Sequence, residues 1–260
     1  MDSTDRDDLL EVAVAAARAA ADVLLERYER SARGVATKSS PTDLVSEADL
    51  LAERAIRDLL AERRPDDAIV GEEGDDVAGS TGRRWIVDPL DGTVNYLFGI
   101  PQWCVSVACE GEVGVILDPL RGELFSVRAG EAALLDGAPI EGSAREDLGT
   151  ALVATGFGYE AEVRAAQAEV VARLLPQVRD IRRLGSAALD LAWTAAGRYD
   201  AYYEYGLNAW DLAAGEMLCA AAGLEIRHLE PLDGTGAGVL VAAPGILGEL
   251  EAIVSSSPSS

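Results

Sequence analysis

The segment at residues 85–96, with the sequence WIVDPLDGTVNY, constrains this chain more than any other. The apolar run at 85–87 predicts a buried strand, which delivers Asp88 and Asp91 onto a turn stiffened by proline. The residues that follow begin a short helix. Carboxylates at a strand end, beside the backbone N–H groups of a helix start, can bind a hard cation and a phosphate together. An ordinary turn explains the same letters, because Asp-Pro and Asp-Gly are both common turn dipeptides.

The composition indicates one large domain with a sizeable core. The chain has 260 residues, and 49% of them are hydrophobic. No apolar run approaches the roughly 18 to 20 residues of a membrane span. The acidic N-terminus argues against a secretory signal, so we expect a cytoplasmic protein. The three cysteines are too few and too scattered for a disulfide framework or a zinc site, and we expect them to be buried.

The charge is extreme, because 45 acidic residues against 22 basic ones give a net charge of −23. A surface this negative repels nucleic acid and anionic membranes, so we expect neither as a partner. Lys38 is the only lysine. Acid-rich, lysine-poor composition suggests a high-salt cytoplasm, in which screening tolerates self-repulsion. A GC-rich genome also favours arginine, but the pI of about 4.3 favours the halophilic interpretation.

Hydrophobic periodicity predicts an antiparallel meander first and an alternation of strands and helices later, which indicates α/β or α+β layers. We expect helices at 6–28, 47–64, 161–175, 186–197, 209–222 and 246–254. We expect strands at 68–70, 85–87, 103–110, 112–117, 123–127, 132–135, 151–155, 180–184, 199–205, 224–228 and 238–242.

Other acidic residues stand in unusual surroundings. Glu72 and Glu73 lie in the sequence GEEG directly after a predicted strand, and Asp211 lies in NAWDLAAG near a helix start. Asp43 and Asp49 lie in KSSPTDLVSEAD. Most acids in so acidic a chain are solvated surface. These five border glycine, proline or an aromatic residue, where a bare carboxylate is costly, and they are candidates for a site.

Together these segments resemble the inositol monophosphatase family of Mg²⁺-dependent, Li⁺-sensitive phosphatases. The family patterns appear in order along the chain. They are KSxxDLV[ST]xxD at 38–49, GEE at 71–73, WIxDP[IL]DGTxN[FY] at 85–96, G[ST]A at 185–187 and WDxAAG at 210–215.

The resemblance implies an α+β fold, namely the layered α-β-α-β-α sandwich of that family, and a homodimer. It implies one catalytic domain over 1–254, with an N-terminal α+β half at 1–150 that carries most metal ligands and a C-terminal α/β half at 151–254. The Ser-rich tail at 255–260 is expected to be disordered.

The resemblance also implies two to three Mg²⁺ ions in the active site. Glu72, Asp88 and the Leu90 carbonyl would bind the first ion. Asp88, Asp91 and Asp211 would bind the second. Without metal these carboxylates repel one another, and some should have raised pKa values.

The implied mechanism is attack on phosphorus by a metal-activated water. Thr93 and Glu72 would hold that water in line, and the phosphate would rest on the backbone N–H groups of Gly92 and Thr93. Asp49 would orient Thr93 or hold a third metal. Lys38 would balance charge near the phosphate.

The implied substrate is myo-inositol monophosphate, because Glu204 and Ala187 match family positions that contact substrate hydroxyls. Asn208-Ala209 replaces the more usual His-Pro or His-Cys, so the substrate rim departs from the family pattern. Fructose 1,6-bisphosphate, alone or as a dual activity, histidinol phosphate and a 3′-phosphoadenosine nucleotide remain alternatives, as does a non-catalytic regulatory protein. The complete substrate set implied is Asp91, Gly92, Thr93, Gly185, Ser186, Ala187 and Glu204.

Overall fold

The computed structural model describes residues 3–31, 47–232 and 234–256. Within these ranges the chain forms helices, two short 3₁₀ turns and two sheets. The helices are α1 (Ser3–Ser31), α2 (Glu47–Arg63), α3 (Thr93–Leu97), α4 (Ala161–Leu174), α5 (Ala187–Ala195), α6 (Ala209–Ala221) and α7 (Pro244–Val254). The strands are β1 (Ala68–Gly71), β2 (Arg84–Asp91), β3 (Cys104–Cys109), β4 (Val113–Asp118), β5 (Glu123–Arg128), β6 (Leu134–Leu135), β7 (Ala138–Pro139), β8 (Leu152–Thr155), β9 (Asp180–Arg182), β10 (Ala201–Tyr205), β11 (Glu225–Leu229) and β12 (Gly238–Ala242).

The elements stack in five layers, which confirms the predicted sandwich. The first sheet has the order β1 to β7 and is antiparallel except for the parallel pair β1–β2. The second has the order β11-β12-β10-β8-β9 and is mixed. Helices α1 and α2 cover the outer face of the first sheet, α5 and α6 lie between the sheets, and α4 and α7 pack together outside the second.

Both faces of the first sheet are buried along β2, β3 and β4, which explains their long apolar runs. Side chains alternate along β3: Val105 and Val107 belong to the core under α1 and α2, whereas Cys104 and Ala108 belong to the core shared with α5 and the second sheet. The three cysteines are buried and unpaired, as expected.

The strand β2 is longer than predicted and corrects the expected turn after residue 87. Pairing with β3 continues from Asp88, opposite Ser106, to Asp91, opposite Cys104, with a register shift between them. Pro89 lies within this bulge, where its missing N–H removes no regular ladder bond. The carboxylates are therefore held on a bulged strand rather than on a free turn.

Two buried side chains fix the segment that follows β2. The Tyr96 hydroxyl donates to the Leu24 carbonyl on α1 at 2.8 Å, and its ring packs edge-on against Trp103. The Asn95 amide donates to the carbonyls of Gln102 and Leu184, each at 2.7 Å. Asn95 therefore ties this segment to the loop before α5, and so joins the first sheet to the second half of the chain.

Some expectations fall outside the described residues. They include Lys38, Asp43, nearly all of the predicted loop at 31–41 and residues 257–260 of the predicted tail. Ser256 is described, and its carbonyl accepts a hydrogen bond from Arg173. None of the described helices is both long enough and apolar enough to span a membrane.

Candidate active site

A cavity of about 310 Å³ opens where the bulge of β2 meets the first turns of α5 and α6. Most of the residues predicted for the site line it. They are Glu72, Asp88, Leu90, Asp91, Gly92, Thr93, Gly185, Ala187, Glu204 and Asp211.

The bulge of β2 is held by its own side chains. The Leu90 N–H donates to Asp88 Oδ1 at 2.9 Å, and the Thr93 hydroxyl donates to the Leu90 carbonyl at 3.1 Å. Gly92 has φ of 98°, and a Cβ there would lie 2.9 Å from the Gln102 carbonyl. The sequence DPLDGT thus turns the chain sharply while it aims two carboxylates into the cavity.

Asp91 is held at the start of α5. Its Oδ2 accepts the Ser186 hydroxyl at 2.6 Å and the Ala188 N–H at 2.7 Å. Ser186 is only 1% exposed and is not among the residues that line the cavity. Ser186 therefore orients Asp91, and its predicted contact with substrate stays a prediction.

Asp211 lies in the first turn of α6, and its Oδ2 accepts the backbone N–H of Asn208 at 2.7 Å. A backbone donor supplies this bond, so the side chain at position 208 is not needed for it. Asp88, Asp91 and Asp211 each offer a carboxylate oxygen, and these oxygens lie within 4.8 Å of one another.

Burial and mutual repulsion perturb these acids. Burial raises the pKa of Asp88 well above its usual value, and the charges of Glu72 and Asp91 add to the shift. The pKa of Asp211 rises to about 7, through burial and then the charge of Asp91. Glu72 is exposed as a residue, yet desolvation of its carboxylate is the largest cause of a pKa of about 8. The charges of Asp211, Glu73 and Asp49 follow as causes of that shift.

Asp49 lies close to this cluster without lining the cavity. It is 1% exposed on α2, and its charge raises the pKa values of Glu72, Asp88 and Tyr96. Asp49 therefore lies near enough to the carboxylates for its charge to act on them, and its role toward Thr93 or a third metal stays a prediction.

The donor set fits a hard divalent cation. Every candidate ligand is an oxygen, and the cluster of Asp88, Asp91 and Asp211 contains neither histidine nor thiolate. Magnesium and similar ions prefer such ligands. Raised carboxylate pKa values are typical of a site built to be neutralised by a cation, because the ion removes the repulsion between its ligands.

Glu204 projects from β10 on the other side of the cavity. The Tyr202 hydroxyl donates to its Oε2 at 2.6 Å, since residues two apart on a strand share a face. A Cβ at Gly156 would lie 1.9 Å from the same oxygen, so this glycine leaves room for the carboxylate. Burial raises the pKa of Glu204 to about 7.

The sequence interpretation missed Arg183. Among the described residues that line the cavity, it is the only one with a positive side chain. Its guanidinium lies 5.7 Å from the centre of the Phe157 ring, which also lines the cavity. The available signal was its place two residues before Gly185, which was itself predicted to contact substrate.

Comparisons with known proteins agree with this geometry. The family model described as the inositol monophosphatase family matches residues 5–257. Inositol-1-monophosphatase SuhB of Mycobacterium tuberculosis is 45% identical over 231 residues, which cover 83% of this chain and 79% of that protein. Nus factor SuhB of Escherichia coli is 39% identical over 221 residues and 83% of each chain.

Solved structures show the same fold. The extragenic suppressor protein suhB of Bartonella henselae has a TM-score of 0.86 and 33% identity, over 95% of this chain and 98% of that one. The inositol monophosphatase of Anabaena has a TM-score of 0.81 and 32% identity, over 96% of each chain. The chain therefore belongs to the inositol monophosphatase family of phosphoric monoester hydrolases.

Proposed function

We propose that the protein is a Mg²⁺-dependent phosphomonoesterase that hydrolyses myo-inositol monophosphate to inositol and phosphate. The observation that carries this proposal is the convergence of Asp88, Asp91 and Asp211 within 4.8 Å beside a cavity of about 310 Å³. That volume is at the lower end of the range for small-molecule sites, roughly 300–1,000 Å³, which suits a small phosphate ester. The complete carboxylate set favours an enzyme over a non-catalytic relative.

The family resemblance implies the metal ligands, and the convergence of Asp88, Asp91 and Asp211 supports that set. Glu72, Asp88 and the Leu90 carbonyl would hold one Mg²⁺, and Asp88 would bridge to a second held by Asp91 and Asp211. When bound, Mg²⁺ polarises the phosphate ester and lowers the pKa of a water molecule.

The chain itself orients the reactants. Glu72 and Thr93 would hold the attacking water, and the Thr93 hydroxyl is already fixed by its bond to the Leu90 carbonyl. The backbone N–H groups of Gly92 and Thr93 would hold phosphate oxygens. Glu204 would accept hydrogen bonds from substrate hydroxyls, because Tyr202 fixes one of its oxygens and its side chain lines the cavity.

Asp211→Asn tests the reaction directly. The change removes one ligand charge, so we expect at least about 100-fold slower phosphate release from inositol 1-phosphate and about 10- to 100-fold weaker Mg²⁺ binding. Glu249→Gln on the exposed side of α7 is the matched control and should leave both values unchanged. Wild-type turnover by Asp211→Asn would refute the assignment of this residue.

The stability of the metal-free protein should depend on pH. The folded-state pKa values of Glu72, about 8, and Asp211, about 7, lie above their ordinary values. The contribution of these two groups to the free energy of unfolding is therefore fully present below about pH 4 and is lost as the pH rises to about 8. Scanning fluorimetry in EDTA should show a falling Tm over pH 5 to 8, and Mg²⁺ should raise the Tm most at the upper end.

Asp211→Asn is the control for this dependence. The variant should show a smaller decrease in EDTA and a smaller Mg²⁺ effect, which separates the site from the overall charge of the chain. An equal Mg²⁺ effect at pH 5 and pH 8 in the wild type would contradict the prediction.

Glu204→Gln tests the choice of substrate. Glutamine keeps an oxygen for Tyr202 but loses the charge that strengthens hydrogen bonds to substrate hydroxyls. We expect KM for inositol 1-phosphate to rise about tenfold, as for one charged hydrogen bond, with little change for p-nitrophenyl phosphate. Equal changes in KM for both substrates would show that Glu204 does not bind the hydroxyl groups of inositol.

A second candidate function is hydrolysis of fructose 1,6-bisphosphate, alone or as a dual activity. Arg183 favours it, because this cation lies among the cavity residues and could bind a second phosphate group.

Arg183→Gln separates the two substrates. We expect KM for fructose 1,6-bisphosphate to rise at least about tenfold, with a smaller effect on inositol 1-phosphate and an intermediate effect in Arg183→Lys. KM is measured by steady-state phosphate release for the wild type, Arg183→Gln and Arg183→Lys. If the variant changes both substrates alike, Arg183 does not serve a second phosphate.

The homodimer, Li⁺ sensitivity, high-salt habitat, cytoplasmic location and absence of nucleic-acid or membrane partners stay predictions from the sequence.

A further inference from the structure

Glu53 and Arg57 of α2 contact the loop at 71–75, which carries Glu72. Glu53 Oε2 accepts the backbone N–H of Glu73 at 2.8 Å. Its other oxygen accepts Arg57 Nε at 2.6 Å. Arg57 Nη1 in turn donates to the Asp75 carbonyl at 3.0 Å. The Glu53–Arg57 pair therefore bonds two backbone groups of this loop, the N–H of Glu73 and the carbonyl of Asp75.

The loop is shaped around this pair. A Cβ at Gly71 would lie 2.8 Å from Glu53 Oε2. A Cβ at Gly74 would lie 2.7 Å from Glu53 Oε1 and 3.0 Å from Arg57 Nε. The two glycines that flank Glu72 and Glu73 thus leave the space that the pair occupies. Glycine at position 74 therefore has a local physical reason.

The charges of the pair matter because it lies next to an acidic site. The side chain of Glu53 is 3% exposed and that of Arg57 is 19% exposed. An unpaired carboxylate this deeply buried would be costly and would add to the repulsion among the ligands. Arg57 cancels that charge, so the pair can hold the loop without making the site more negative.

The pair also continues a row on one face of α2. Asp49, Glu53 and Arg57 are spaced four residues apart, and both acids are at most 2% exposed. Asp49 lies close enough to the carboxylate cluster for its charge to act on Glu72 and Asp88, and Glu53 and Arg57 contact the loop. One rigid helix therefore sets the position of Glu72 relative to Asp88.

We infer that Glu53 and Arg57 are positioning residues that keep Glu72 in place to bind the metal. The inference rests on the proposed function, because it assigns these residues a role in Mg²⁺ binding. The flexible sequence GEEG would otherwise lose conformational entropy when it binds an ion, and groups that orient metal ligands typically contribute 10- to 100-fold to affinity.

Arg57→Gln is the decisive variant, because positioning and simple electrostatics predict opposite results. Removing a positive charge near the site should strengthen Mg²⁺ binding if charge alone matters. If the pair positions Glu72, the variant should bind Mg²⁺ about tenfold more weakly by calorimetry with MgCl₂ alone. Arg54→Gln is the matched control. It removes the same charge from the same helix, where Arg54 is 77% exposed and its ion pair with Asp58 is 3.9 Å long.

Two further measurements separate positioning from a general loss of structure. Saturating Mg²⁺ should restore most of kcat in Arg57→Gln, and hydrogen exchange should be faster at 71–75 while the rest of the chain is unchanged. Arg57→Lys keeps a cation for Glu53 but lacks the second nitrogen that bonds the Asp75 carbonyl, so it should bind Mg²⁺ with intermediate affinity. It also decides the matter if Arg57→Gln fails to fold.

The outcomes are distinguishable. Weaker binding in Arg57→Gln, intermediate binding in Arg57→Lys and unchanged binding in Arg54→Gln support the inference. Wild-type affinity or tighter binding in the Arg57 variants overturns it and leaves the proposed function intact. Wild-type protein that does not bind Mg²⁺ overturns both.

Discussion

Repulsion between buried carboxylates is the constraint on which this structure depends. Asp88, Asp91 and Asp211 present oxygens within 4.8 Å of one another, and burial raises the pKa of each. Such a cluster opposes folding unless other groups hold it or a cation neutralises it. Much of the architecture around the cavity consists of donors that meet these acids.

Different layers supply those donors. The bulge of β2 holds Asp88 through its own backbone, α5 holds Asp91, and the capping box of α6 holds Asp211. Helix α2 supports the loop of Glu72 through Glu53. Because each acid is fixed by a separate element, the carboxylate cluster forms only when α2, α5 and α6 are packed around the first sheet.

The sequence predicted the elements well because their periodicities are strong. It predicted less well where local and tertiary preferences disagree. Asp-Pro suggested a turn, but pairing with β3 keeps the chain extended to Asp91. The sequence also did not predict that Ser186 donates to Asp91, because the two residues are distant in the chain. Arg183 has no local pattern of its own, and only packing places it in the cavity.

The sequence by itself determined the type of chemistry, because the motif of 85–96 and the acids around it carry oxygen ligands in a recognisable order. The tertiary structure decided which acids converge and what holds them. In the sequence, Glu53 and Arg57 are an ordinary acid and base four residues apart on a helix. The tertiary structure also decided that they contact the loop that carries Glu72. The physical reason is that a ligand's identity is local, whereas its orientation depends on contacts between segments that are distant in the chain.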